Sequence, residues 1–290
     1  MKGRLALAAV AVVAVIGLVV GLTAGRPLLA RVYHKAFDRL PPMVADDLDP
    51  TAISVLYLHH STGLNVWDAG IPELVGRRNA AGGAQLQVVE RAFPRYPYPW
   101  DNNPYDYWNA WVNHSGDDRV QGQATLEDLV GAYDVIVWKN CFLSADMVPD
   151  DGHPDVSSAV RTPANYRLQY LALRDAMHRF PNTTFIVWTL PPKAATDTQP
   201  GTAELARQFA AWVRDEWDQP GDNVHLWDYR AIAAPDNFYL PAGNAMGEHD
   251  SHPNPELSRR AAAAFVQRLV DVVDGRGDVA PATGEALVAG

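Results

Sequence analysis

Three residue types in this 290-residue chain could together cleave an ester covalently: a serine, a histidine and an aspartate. A serine hydroxyl is a weak nucleophile near neutral pH and becomes reactive when a base takes its proton, which a histidine can do. The chain carries Ser61 in the run HHSTG and His252 in the run DSHPN. Asp250 is the carboxylate nearest to His252 in sequence and would set the tautomer of the ring. A tetrahedral intermediate also needs donors for its oxyanion. The candidates are the backbone amide of Ser61, the side-chain amide of Asn140, and the amide of Gly63, which has no side chain to obstruct a substrate. His60 and Lys139, beside these residues, are candidates for holding substrate.

Such groups lie far apart in sequence, so the fold must bring them together. Short apolar, β-rich runs occupy 53–58 (ISVLYL), 86–89 (LQVV), 134–138 (DVIVW), 184–190 (TFIVWTL) and 223–227 (NVHLW). They lack strict polar alternation, as strands buried on both faces do. Helical patterns over 126–132, 163–180, 202–217 and 255–273 alternate with them, and Pro255 suits a first helical turn. This order predicts an α/β fold with about five parallel strands, helices covering both faces. Ligands in such a sheet bind beyond the carboxyl ends of the strands. The first strand runs into His59–Gly63, the third into Lys139–Cys141, and the segment 248–254 follows the fifth.

A nucleophile after the first strand, an Asn after the third and a His in a D-x-H-P-N segment before the last helix resemble the SGNH (GDSL-type) hydrolases, in a divergent branch with HHSTG and DSHPN motifs. The resemblance spans about Ala52 to Val273 in its order of elements. It implies a flavodoxin-like three-layer sandwich with strand order 2-1-3-4-5, and hydrolysis or transfer of acyl esters by Ser61, His252 and Asp250 without a cofactor. Several letters depart from the family pattern. His59-His60 precede the serine where Gly-Asp is usual, Trp138-Lys139-Asn140-Cys141 keeps only the Asn of Gly-x-Asn-Asp, and His249 stands three before His252 where an Asp is usual. Gly82 and Gly83 precede the second strand, whereas the family's second-block glycine follows it.

The segment 93–111 (FPRYPYPWDNNPYDYWNAW) is dense in aromatic residues. Trp100, Asp101 and Trp108 would suit a sugar ring and make an O-acylated cell-surface glycan a candidate substrate; equally, the segment could be a loop packed by its own side chains. Two other functions stay open. His59, His60, His249, Asp250 and His252 could form the ligand cluster of a metal-dependent hydrolase, and the aromatic segment could belong to a non-catalytic, membrane-tethered glycan-binding module.

A formal net charge of −10 argues against a nucleic-acid partner, and the single cysteine, Cys141, excludes an intrachain disulfide. Residues 5–25 carry no charged side chain and are long enough to span a bilayer as a helix, reading as an uncleaved anchor or a signal sequence that puts the rest outside the cytoplasm. The expected organisation is an anchor over 1–25, a linker over 26–51, a catalytic domain over 52–274 and a flexible tail over 275–290. No feature of the sequence sets an oligomeric state.

Overall fold

Residue alternation within the apolar runs decides which side of the sheet each side chain covers. In the computed structural model, which describes residues 41–98, 102–236 and 238–285, Val55 and Tyr57 enter one buried cluster while Leu56 and Leu58 enter another. The same split separates Val135 and Val137 from Ile136 and Trp138. Period-two alternation with both faces apolar is the pattern of a central strand covered on both sides.

Five strands result: β1 (Ile53–His59), β2 (Leu86–Ala92), β3 (Val135–Trp138), β4 (Thr184–Trp188) and β5 (Val224–Trp227). All neighbours are parallel and the order is β2-β1-β3-β4-β5, the order that the resemblance implies. One face packs under the helices Pro163–His178 and Pro200–Trp212, through residues such as Tyr170, Leu173 and Phe209. The other face packs under Thr62–Asp68, Ile71–Ala81 and Pro255–Val273, through Val66, Ile71, Leu257, Phe265 and Leu269. Thr162 and Asn254 cap two of these helices by accepting the backbone N–H groups of Asn165 and Leu257 at 3.2 and 2.9 Å. A two-stranded antiparallel hairpin, β6 (Ala245–Gly247) with β7 (Asp250–Pro253), precedes the last helix.

The switch point of the sheet lies between β1 and β3, where the chain leaves in opposite directions, and ligands of such sheets bind there beyond the carboxyl ends. Ser61 follows β1 and Asn140 follows β3, so the topology brings both to that edge.

Four expectations need correction. The compact unit begins at Met43, not at Ala52. Met43 and Ala45 are buried, and the Tyr133 hydroxyl donates to the Met43 carbonyl at 2.9 Å while accepting the Ala45 N–H at 3.0 Å. Residues 275–285 are docked rather than frayed: the Arg268 guanidinium donates to the Gly277 carbonyl and Trp227 Nε1 to that of Thr283. The pattern over 202–217 resolves into the α-helix Pro200–Trp212 and one wider turn, Val213–Trp217. β2 runs to Ala92, because its half-buried end pairs with Tyr57–His59 of β1. Among the described residues no helix is long and apolar enough to cross a membrane, and the segment 5–25 lies outside those residues.

Candidate active site

Where β1 ends, the chain turns sharply through His60 and Ser61 into the helix Thr62–Asp68. Ser61 adopts φ 48° and ψ −102°, a conformation that an L-residue enters at a cost of about 1–3 kcal/mol and that clusters at functional sites. Its side chain makes no capping bond to the helix it precedes. Instead its hydroxyl meets His252 Nε2 from the other end of the chain. Gly63 is required because a Cβ there would overlap the Cβ of His59 and lie 3.0 Å from Lys139 Cδ. The Gly63 N–H donates to the His60 carbonyl at 2.9 Å, so it closes the turn and is not a free oxyanion donor, against expectation. The Ser61 N–H has no acceptor among the described residues.

His252 and Asp250 lie two apart on β7, and residues i and i+2 of a strand share a face. That geometry lets the Asp250 and His252 side chains meet. His252 Nδ1 lies 2.5 Å from Asp250 Oδ1, which also accepts the His252 backbone N–H at 2.9 Å. Partial burial pushes the Asp250 carboxyl upward, but these two hydrogen bonds and the attraction to the ring outweigh it and hold Asp250 below the usual carboxylate value. The Phe142 ring meets His252 edge-on with centroids 4.9 Å apart. Ser251 points to the opposite face of β7. Its hydroxyl donates to Asp197 Oδ2 at 2.5 Å and accepts the Ala194 N–H at 3.0 Å. Lys193 in turn binds Asp146 at 2.8 Å and Asp197 at 3.6 Å, tying the loops after β3 and β4 to the hairpin.

Asn140 is buried beside this arrangement, its Oδ1 accepting the Tyr170 hydroxyl at 2.7 Å. Its Nδ2 makes a long 3.4 Å contact to the Asn102 carbonyl, so a second amide hydrogen remains available. Asn102 itself has φ 49°, and its carbonyl also accepts from Cys141 N–H and the Ser144 hydroxyl, each at 3.1 Å.

The candidate substrate-binding residues fare differently. Lys139 is fully buried and donates to the His60 carbonyl at 2.9 Å, so it cannot reach a substrate carboxylate. Trp108 belongs to the core with Tyr107 and Trp111, which makes the segment largely a self-packed loop and removes Trp108 as a sugar platform. His60 places its Nε2 2.6 Å from the Pro94 carbonyl, and burial pushes its pKa down to about 4. Trp100 and Asp101 lie outside the described residues. The five proposed metal ligands are dispersed: His59 pairs with Glu90, His60 with Pro94, His249 with Thr196, and only Asp250 and His252 meet. No three His, Cys, Asp or Glu side chains converge as a metal cluster among the described residues.

No protein-family model matches the chain, and no curated protein matches it. Among solved structures the chain is similar to one described as an acetyl xylan esterase, AlAXEase, at 13% sequence identity over 72% of this chain and 95% of that chain, with a TM-score of 0.44. What this site can do follows from its own residues.

Ser61, His252 and Asp250 form a hydrogen-bonded chain from hydroxyl to ring to carboxylate, beside a Ser61 backbone N–H that meets no acceptor among the described residues. Sequence reasoning missed Phe142, Tyr170 and the group of Ser251, Asp197, Lys193 and Asp146. For Ser251 a signal existed: flanked by Asp250 and His252 on a strand, it must face the other way. The rest had none, because their roles arise from contacts distant in sequence, such as Tyr170 with Asn140, 30 positions apart, and Phe142 with His252, 110 apart.

Proposed function

We propose that the protein is a serine hydrolase of acyl esters working through an acyl-enzyme. The observation that carries this reading is the contact of Ser61 Oγ with His252 Nε2 while Nδ1 of the same ring is turned to Asp250. In the first step Ser61 Oγ bonds to the ester carbonyl carbon as its proton passes to His252 Nε2. Negative charge develops on the carbonyl oxygen, to be held by the Ser61 N–H and an Asn140 amide hydrogen. The carbon–alkoxy bond then breaks and the departing oxygen takes the proton from Nε2, leaving the acyl group on Ser61. Water enters with its proton passing to Nε2, and collapse of the second tetrahedral intermediate returns that proton to Ser61 as the carboxylic acid leaves. Asp250 stays ionised and steadies the imidazolium in both steps, consistent with its lowered pKa. None of these steps calls on a cofactor.

An O-acylated glycan remains a candidate substrate through Trp100 and Asp101 alone, and residues 5–25 are proposed to anchor the catalytic unit on the outer side of a membrane. The test is hydrolysis of p-nitrophenyl acetate and labelling by a fluorophosphonate, with Ser61→Ala alongside. Turnover and labelling that both vanish with Ser61→Ala support the reading. A wild-type protein that hydrolyses no ester and takes no label would overturn it.

A further inference from the structure

Lys139 is an uncompensated charge in the interior. The residue is fully buried at the end of β3, and among the described residues no carboxylate pairs with its ammonium. An unpaired buried cation is costly, and proteins that retain one at a cleft commonly use it. Satisfying the His60 carbonyl does not require it, since the Gly63 N–H already donates there at 2.9 Å.

Among the described residues the ammonium makes one hydrogen bond, and it goes to the peptide that matters. The His60 carbonyl belongs to the same peptide unit as the Ser61 N–H, and in a trans peptide these two groups point in opposite directions. A charged donor 2.9 Å from the carbonyl therefore aims the Ser61 N–H away from the interior. It also draws electron density from the peptide and strengthens that N–H as a donor. We propose that Lys139 is a positioning residue for ester cleavage: through the His60 carbonyl its ammonium orients and polarises the Ser61 N–H toward the oxyanion. The inference rests on the hydrolase reading above.

Burial brings the Lys139 pKa down to about 8. The titratable groups facing it are His59 and His60 from the end of β1 and Cys141 from its own loop. Burial keeps both histidines below their ordinary value, so neither titrates near pH 8, and Glu90 is engaged by His59. Below about pH 8 the ammonium is present; above it the charge is lost and kcat falls.

The experiment compares the full chain with Lys139→Met, which has similar length and no charge, and Lys139→Gln, which keeps an N–H donor. Rates on p-nitrophenyl acetate are expressed per site titrated by the fluorophosphonate. For Lys139→Met, kcat should fall about 10- to 100-fold with KM within about twofold, and a boronic acid that mimics the tetrahedral intermediate should lose affinity by a similar factor. Melting temperature should rise, because the variant sheds a buried charge while Gly63 still satisfies the carbonyl. Wild-type kcat should show a basic limb near pH 8 that is absent in Lys139→Gln. Unchanged kcat per site, a rise in KM alone, or a wild-type profile flat to pH 10 would each overturn the inference. Loss of labelled sites with a lowered melting temperature would do so too, by making Lys139 a scaffold residue. A wild-type protein without reactive Ser61 would sink the hydrolase reading, whereas an active wild type indifferent to Lys139 would sink only this inference.

Discussion

The two halves of the site are built by opposite means. On the side of the proposed nucleophile, Ser61 sits on a strained turn whose geometry is dictated by backbone and by buried bulk: Gly63 fits over His59, and Lys139 is sealed beneath. On the side of the proposed base, His252 and Asp250 ride a short hairpin at the rim, with side chains 31% and 44% exposed. Their placement depends on side-chain hydrogen bonds from the loop after β4, above all those of Ser251. A nucleophile has to meet a carbonyl carbon and an oxyanion donor together, and both requirements fall on one peptide. A base needs only its ring set at the right angle, which strand alternation and one carboxylate achieve.

The largest effect should come from removing the group where the halves meet. Ser61→Ala should lower kcat by about 10⁴-fold or more without unfolding the protein, as measured by ester hydrolysis and circular dichroism. Asp250→Asn should cost about 10³–10⁴-fold in kcat with KM little changed, because the ring loses its tautomer and its counter-charge. Gly63→Ala tests the buried half: a methyl overlapping His59 should destabilise the fold by about 1–3 kcal/mol in a denaturant titration, and should lower kcat as well. Ser251→Ala is the counterpart on the rim. Loss of a hydrogen bond or two should reduce kcat about five- to tenfold while stability changes by less than about 1 kcal/mol, and Ser251→Thr should restore part of the rate. Should Ser251→Ala unfold the protein as readily as Gly63→Ala, the contrast between the halves would fail.

The smallest effect is one of pH on stability. His60 carries a folded-state pKa of about 4 against an ordinary value of 6.5, so it stays neutral in the fold while the unfolded chain takes a proton first. Its contribution is complete above pH 6.5 and is lost as pH falls from there toward about 4. His60→Asn should flatten part of that acid slope in melting temperature, leaving the part due to His59, whose pKa burial lowers in the same direction.

Some elements were legible in the sequence because their signal is local. Five apolar runs became five parallel strands, and the last helix runs from Pro255 to Val273 as its periodicity and N-terminal proline indicate. Apolar periodicity did not mark the helices Thr62–Asp68 and Ile71–Ala81: the first is only about two turns long, and the second carries weak periodicity over an exposed face. Residues 41–51 read as a Pro- and Asp-rich linker, yet distant side chains make them part of the folded unit: Tyr133 bonds to Met43 and Ala45, and Gln87 to Asp47 and Asp49. The aromatic stretch showed its composition but not its orientation. Apolar rings suit a sugar or a core equally well, and Phe93, Tyr107 and Trp111 pack against one another in tilted and edge-on contacts, with Tyr107 and Trp111 also meeting Trp138.

Sequence by itself determined the residue types at the strand ends and the sheet that carries them, since strand periodicity and residue chemistry are properties of short windows. Tertiary structure decided which amides remain free. Gly63 spends its N–H on His60, Ser61 keeps its own, and Lys139 turns inward to the peptide between them rather than outward to a substrate. Those outcomes depend on which atoms burial brings within 3 Å of one another, and burial is a property of the whole packed chain.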